Sequence, residues 1–316
     1  MTRTLPDYDF DHPVFHPDRL RLRTPAMDRL GEDLHRWLWT GATGGLILGA
    51  ARAGKTTAVR VLSPEVHWRD QTHVPTYYVS IPLRDQRTVT SVFRHLCWAA
   101  ELRVSNADRA DHLSDRFVHY LLDQATVHAC RYAILIVDEM QRLMPQQYGA
   151  FAEIHDRLLL LDIRLVVFFV GNDQECSELL ETIESPRYAH IRGRFFMHRV
   201  LFRGLRSRRD VEACLAEYDR LRYPAEGPTY TEYFLPAAYA YGWRLTALAS
   251  DLWRAFRAHQ RAYSIDSWGM QYFTATANTL LTDFLPRLGV EEFDDALARE
   301  GIALSGLLPD VVRPVR

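Results

Sequence analysis

The run Gly49-Ala50-Ala51-Arg52-Ala53-Gly54-Lys55-Thr56 joins residue type and spacing in a way that dictates a chemistry. Its pattern, GxxxxGK[ST], lets the main chain curl between two glycines so that successive N–H groups point inward at phosphate oxygens. Lys55 is the only lysine among 38 basic side chains; all the others are arginine. A compact ammonium reaches between the β- and γ-phosphates of a nucleotide, where a planar guanidinium has the wrong shape. That requirement accounts for the one lysine in a chain that otherwise chooses arginine. Gly49, Ala51, Arg52, Ala53, Gly54, Lys55, Thr56 and Thr57 are therefore the candidate ATP-binding residues, with Thr56 placed to ligate Mg²⁺ and Thr57 to support the start of the following helix.

A phosphate loop of this kind calls for a carboxylate at the tip of a second strand, and "YAILIVDEM" supplies one. Asp138 is the candidate for holding Mg²⁺ through water, and Glu139 for polarising the water that attacks the terminal phosphate. In "RLVVFFVGND", Asn172 lies just past another buried strand, where its short amide suits contact with the γ-phosphate or the water.

These residues must be carried by elements that bring three strand ends together. Apolar runs of strand length occur at 45–49, 76–81, 132–137, 164–170 and 198–202, with helical periodicity between them, as in "VTSVFRHLCWAAEL" and "LSDRFVHYLLDQATVHA". Three of the runs are apolar on both faces, which suits a parallel sheet covered by helices on each side. After about residue 204 the remaining pattern reads as helices at 207–222, 230–241, 244–262, 267–282 and 290–299. The expected class is α/β: an irregular arm over 1–25, a P-loop core with a parallel sheet flanked by helices over 26–204, and a helical lid with C-terminal helices over 205–316.

A net charge of -2 excludes a globally basic nucleic-acid binder but permits a local basic patch. One candidate is 187–209, which carries eight arginines and no acid, interleaved with Ile191, Phe195, Phe196, Val200 and Phe202 and so partly packed. The four cysteines, Cys97, Cys130, Cys176 and Cys214, have no metal-ligand spacing and read as buried thiols. With no signal-like apolar region at the N-terminus and no run long enough to span a bilayer, the expected location is the cytoplasm.

Taken together, 49–56, 134–139, Asn172, the arginine segment and the helical remainder resemble the AAA+ ATPases over roughly 26–260. Within that superfamily "LIVDEMQRL", "FFVGND" and "RGRFFMHRVLFRGL" are similar to the TniB/TnsC-like regulators of DNA transposition, with Asn172-Asp173 departing from a Gly-Thr-Pro-like turn. The resemblance implies an ATPase using ATP and Mg²⁺, with Arg192 or Arg194 acting in trans on a neighbouring subunit's nucleotide. In "YGWRL" it implies that Arg244 reaches the γ-phosphate as a Gly-x-Arg sensor. It further implies a homo-oligomer, a ring or filament of about six or seven subunits per turn, that holds double-stranded DNA through Arg84, Arg87 and Thr88 or Thr90. The implied partners are a transposase and a target-selection protein, with no membrane. A second reading is a STAND-like signalling switch or a loader engaging a protein. A small-molecule kinase is disfavoured, because a glutamate directly after the metal-holding aspartate suits water activation.

Overall fold

Strands that are apolar on both faces need cover on both, and the computed structural model provides it. It describes residues 8–68, 70–83 and 88–307. They form two compact units, one of Arg29–Ala51 and Lys55–Phe202, the other of Arg52–Gly54 with the described residues up to Asp28 and from Arg203 onward.

The first unit is built on a five-stranded sheet of β1 (Gly44–Gly49), β2 (Thr76–Ser80), β3 (Tyr132–Asp138), β4 (Arg164–Asn172) and β5 (Arg199–Leu201). The spatial order is β2-β3-β4-β1-β5 and every pairing is parallel. Between strands run α2 (Lys55–Leu62), α3 (Val89–Ala99), α4 (Ala110–Val127), α5 (Tyr148–Leu160) and α6 (Ser177–Ile183), where α1 is Pro25–Trp39. Alternation along the strands sends Leu46, Leu48, Leu135, Val137, Val167 and Phe169 to one face, where they pack with Phe93, Phe117 and Phe151 of α3, α4 and α5. Their neighbours Ile47, Ile136 and Phe168 point the other way and are equally buried, with the Trp37 ring 5.9 Å from Phe168. The expected parallel sheet with helices on both faces is the observed one.

Register aligns the strand ends that matter. Gly49 lies beside Asn172, and Ser80 beside Asp138, so the carboxyl ends of β1, β2, β3 and β4 share one edge. Open α/β sheets bind ligands at that edge.

The second unit is helical. Its core gathers Val211, Leu215, Tyr218, Phe234, Leu252, Phe256, Trp268, Phe273 and Leu280, together with Val14, Leu20 and Leu22 from the N-terminal arm. The arm is tied down by Asn278, whose Nδ2 donates to Val14 O at 2.9 Å, and by Tyr223, whose hydroxyl donates to Asp9 at 2.9 Å.

Helix boundaries here differ from the periodicity for local reasons. The expected helix 230–241 is two short ones, Tyr230–Phe234 and Pro236–Ala240, because Pro236 has no N–H to continue the ladder. The stretch expected to be helical over 244–262 opens with a 3-10 turn, Leu245–Leu248, before the α-helix Ala249–Tyr263. In place of 290–299 the helix is Asp295–Leu304, since Asp294 accepts the Leu297 N–H and sets the start. Among the described residues, no helix is long and apolar enough to cross a membrane.

Candidate functional site

The loop after β1 is forced into shape by two backbone constraints. Gly49 passes so close to the neighbouring chain that a Cβ there would sit 2.0 Å from Phe202 O, and Gly54 holds φ at +99°, a left-handed value that favours glycine. α2 then begins at Lys55, so the N–H groups of its first turn are free of helix partners and face outward, the arrangement that receives anions. Lys55 Nζ donates to Gly49 O at 2.7 Å and Ala50 O at 2.8 Å, which holds the ammonium against the loop. Burial pushes its pKa below the usual lysine range, opposed by Asp138, Asp173 and Glu139. Arg52 is the non-glycine residue of the loop with positive φ, at 61°, and its guanidinium turns to the Tyr272 hydroxyl at 3.0 Å, so what it adds to a phosphate cradle is its main chain. Ala51, Ala53 and Thr57 complete the loop and first turn without a large side chain to obstruct them.

Across the strand edge, Asp138 is 4% exposed and takes three donors. Its Oδ2 accepts the Thr56 hydroxyl and the Tyr78 hydroxyl, each at 2.6 Å, and its Oδ1 accepts the Glu139 N–H at 2.8 Å. Because Thr56 spends its proton on Asp138, its oxygen lone pairs remain for a cation, and Asp138 Oδ1 keeps one acceptor position. A hydroxyl and a carboxylate so placed form the hard oxygen set that suits Mg²⁺ shared with phosphates. Among the described residues, no group of three or more His, Cys, Asp or Glu is arranged to hold a metal by itself.

Glu139 sits in the left-handed region at φ 61°, at the turn from β3 into a 3-10 turn, Met140–Arg142. That turn brings two side chains back onto its carboxylate: Gln141 Nε2 donates at 2.7 Å, and an Arg142 nitrogen lies 3.2 Å away. Gln141 also accepts the Asn172 N–H at 3.3 Å, and Arg142 also donates to Ile81 O at 2.8 Å. Asn172 ends β4, and its Oδ1 accepts the N–H groups of Gln174 and Glu175, leaving the amide nitrogen as the part able to donate elsewhere.

The structure thus brings Lys55, Thr56, Asp138, Glu139 and Asn172 to one strand edge and adds Tyr78, Gln141 and Arg142, which sequence reasoning missed. Gln141 and Arg142 were visible in "DEMQRL" two and three residues past Glu139, a spacing that one tight turn folds back.

The arginines are placed otherwise than a bare basic segment. Arg192 pairs with Glu184 at 3.0 Å, and Arg194 makes a two-pronged contact to Asp156 at 2.9 Å, on a π-turn spanning Arg192–Phe196. Arg244 lies over the Tyr239 ring at 3.6 Å and donates to Tyr239 O and Trp243 O. Arg84 and Arg87 lie outside the described residues, whereas Thr88 accepts the Ser91 N–H as the N-cap of α3. Thr90 follows in that helix's first turn.

Sheet order, loop and paired strand tips define a P-loop AAA+ fold with a helical C-terminal region. Residues 39–180 match the family described as an AAA domain. Several solved structures are similar at low identity. Cdc6p from Pyrobaculum aerophilum has a TM-score of 0.46 at 16% identity, covering 87% of this chain and 72% of that one. The Aeropyrum pernix ORC1 protein in complex with DNA has a TM-score of 0.44 at 15% identity, covering 84% and 68%. A Walker-type ATPase of Pyrococcus abyssi has a TM-score of 0.47 at 16% identity, covering 90% and 72%. No curated protein matches the chain.

Proposed function

We propose that this protein is an ATP-hydrolysing AAA+ oligomer that assembles on double-stranded DNA and regulates transposition, recruiting or activating a transposase at a selected target and resetting through hydrolysis. The observation that carries the hydrolytic part is the 2.6 Å contact of Thr56 with Asp138, which joins the phosphate loop to the second strand tip. The transposition part is supported by the resemblance of the 135–143 and 168–173 segments and the arginine run to the TniB/TnsC-like regulators.

In this reading the loop N–H groups and Lys55 hold the phosphates, Thr56 and Asp138 hold Mg²⁺, and Asn172 orients the γ-phosphate or the water. Held by Thr56 and Asp138, Mg²⁺ would supply positive charge against the charge that develops on the phosphates. Glu139 takes the proton of the attacking water, which requires its carboxylate to turn from Gln141 and Arg142 toward the nucleotide. Arg192 or Arg194 serves a neighbouring subunit's site after leaving its acidic partner, and Arg244 reports the γ-phosphate.

Glu139→Gln separates binding from chemistry, because only water activation is lost. Size-exclusion with ATP and duplex DNA is expected to find larger and longer-lived assemblies than wild type, with turnover reduced about 10²-fold or more. Assemblies no larger than wild type's would remove Glu139 from this role. ATP-dependent assembly without any retention of duplex DNA would favour a protein partner, as in a signalling switch or loader.

A further inference from the structure

Asp138 receives one donor that neither the phosphate loop nor its own turn supplies. Tyr78 lies on β2 two residues before Ser80, the register partner of Asp138, and its hydroxyl reaches Asp138 Oδ2 at 2.6 Å. The phenol comes from a fixed direction, because the Arg60 guanidinium of α2 lies over its ring, 4.3 Å from the centroid.

We infer that Tyr78 is a positioning residue for the metal-holding carboxylate, fixing through Oδ2 which oxygen of Asp138 faces the cation. This rests on the nucleotide-site reading above. Oδ2 is filled by the Thr56 and Tyr78 hydroxyls, and Oδ1 takes a single N–H from Glu139, so Oδ1 alone offers a lone pair toward a metal-bound water. At a carboxylate only 4% exposed, removing the phenol leaves an acceptor on Oδ2 without a partner and water does not freely replace it. The carboxylate is then free to turn about the remaining Thr56 bond, and Oδ1 would no longer be held in the direction of a cation. Groups that orient a metal ligand from behind contribute about 10- to 100-fold to metal affinity.

The neighbouring residue provides the control. Tyr77 points to the opposite face, against Tyr120 at 5.6 Å, and its buried hydroxyl has no hydrogen-bond partner among the described residues. The experiment titrates a fluorescent ATP analogue against the full chain in EDTA and at rising Mg²⁺, for wild type, Tyr78→Phe and Tyr77→Phe. Tyr78→Phe keeps the ring and its packing. Its Mg²⁺ midpoint is expected to rise about tenfold or more, with affinity in EDTA within about twofold of wild type. Tyr77→Phe is expected to keep the wild-type midpoint. An unmoved midpoint in Tyr78→Phe overturns the inference, as does an equal movement in Tyr77→Phe, which would make any lost phenol in β2 sufficient. Failure of wild type to bind the analogue would instead overturn the nucleotide-site reading, and this inference with it.

Discussion

At the scale of single residues, Lys55 carries the sharpest claim. Its ammonium fits between Gly49 O and Ala50 O, 2.7 and 2.8 Å away, in a loop too tight for a forked guanidinium to reach the same point. Lys55→Ala is expected to abolish nucleotide binding. Lys55→Arg, although it keeps the charge, is expected to retain at most weak hydrolysis, about 10²-fold below wild type in steady-state phosphate release. Full activity in the arginine variant would contradict this account of why the chain keeps one lysine. Other residues at the site behave less independently. Glu139 is held by Gln141 and Arg142, and Asp138 by Thr56, Tyr78 and its own following N–H, so substitutions within this group should not add.

At the scale of elements, the N-terminal arm offers a test through His12. Its ring is fully buried among Tyr223, Tyr230, Tyr233 and Phe234, with centroids 4.6 to 4.9 Å away, and its Nδ1 accepts the Val14 N–H at 3.2 Å. Burial lowers its pKa to about 4 from 6.5, against a smaller opposing pull from Asp9. Above pH 6.5 both folded and unfolded chains hold a neutral imidazole, so His12 adds no pH dependence there. As pH falls from 6.5 toward 4 the unfolded chain takes up a proton that the folded one refuses, and stability drops. The loss is about 2 kcal/mol by pH 5. Urea unfolding at pH 7.5 and pH 5 is expected to give a difference smaller by that amount in His12→Leu than in wild type; equal differences would place the acid sensitivity elsewhere. This contact also marks what the sequence leaves unread. The apolar runs of β1, β3 and β4 were legible because a strand buried on both faces needs no alternation, and the phosphate loop because its spacing is local. The arm's docking on residues 223–234, and the reach of Tyr78 to Asp138 across 60 positions, depend on pairings that no local window contains. Helix 230–241 misled for the opposite reason, since its periodicity continued through a proline that local geometry could not.

At the scale of the whole molecule, charge bears on the proposed contact with DNA. The chain carries a net charge of -2, so attraction to a duplex must come from arginines whose charge is not already spent. Four of the eight arginines in 187–209 pair with acids from outside the acid-free stretch or beyond its end: Arg192 with Glu184, Arg194 with Asp156, Arg203 with Asp266 and Arg208 with Glu212. The sequence could reveal only the last of those partners, four residues on in the same helix, and together they weaken that segment as a phosphate-binding face. The proposed contacts are Arg84 and Arg87, with Thr88 and its N-terminal helix turn beside them in sequence. If an oligomer grips the duplex backbone through them, log affinity falls linearly with log salt at a slope of about -0.9 per phosphate neutralised. Replacing both with alanine is expected to make that slope shallower by several units across an assembly, with ATP affinity nearly unchanged. Sequence preference should hardly move, because phosphate contacts position a protein without reading bases. Fluorescence anisotropy on short duplexes, at several salt concentrations with a non-hydrolysable ATP analogue, measures the slope. An unchanged slope in the double variant would move the DNA contact away from Arg84 and Arg87, to the arginines of 187–209 that an assembly would first have to free from their acids.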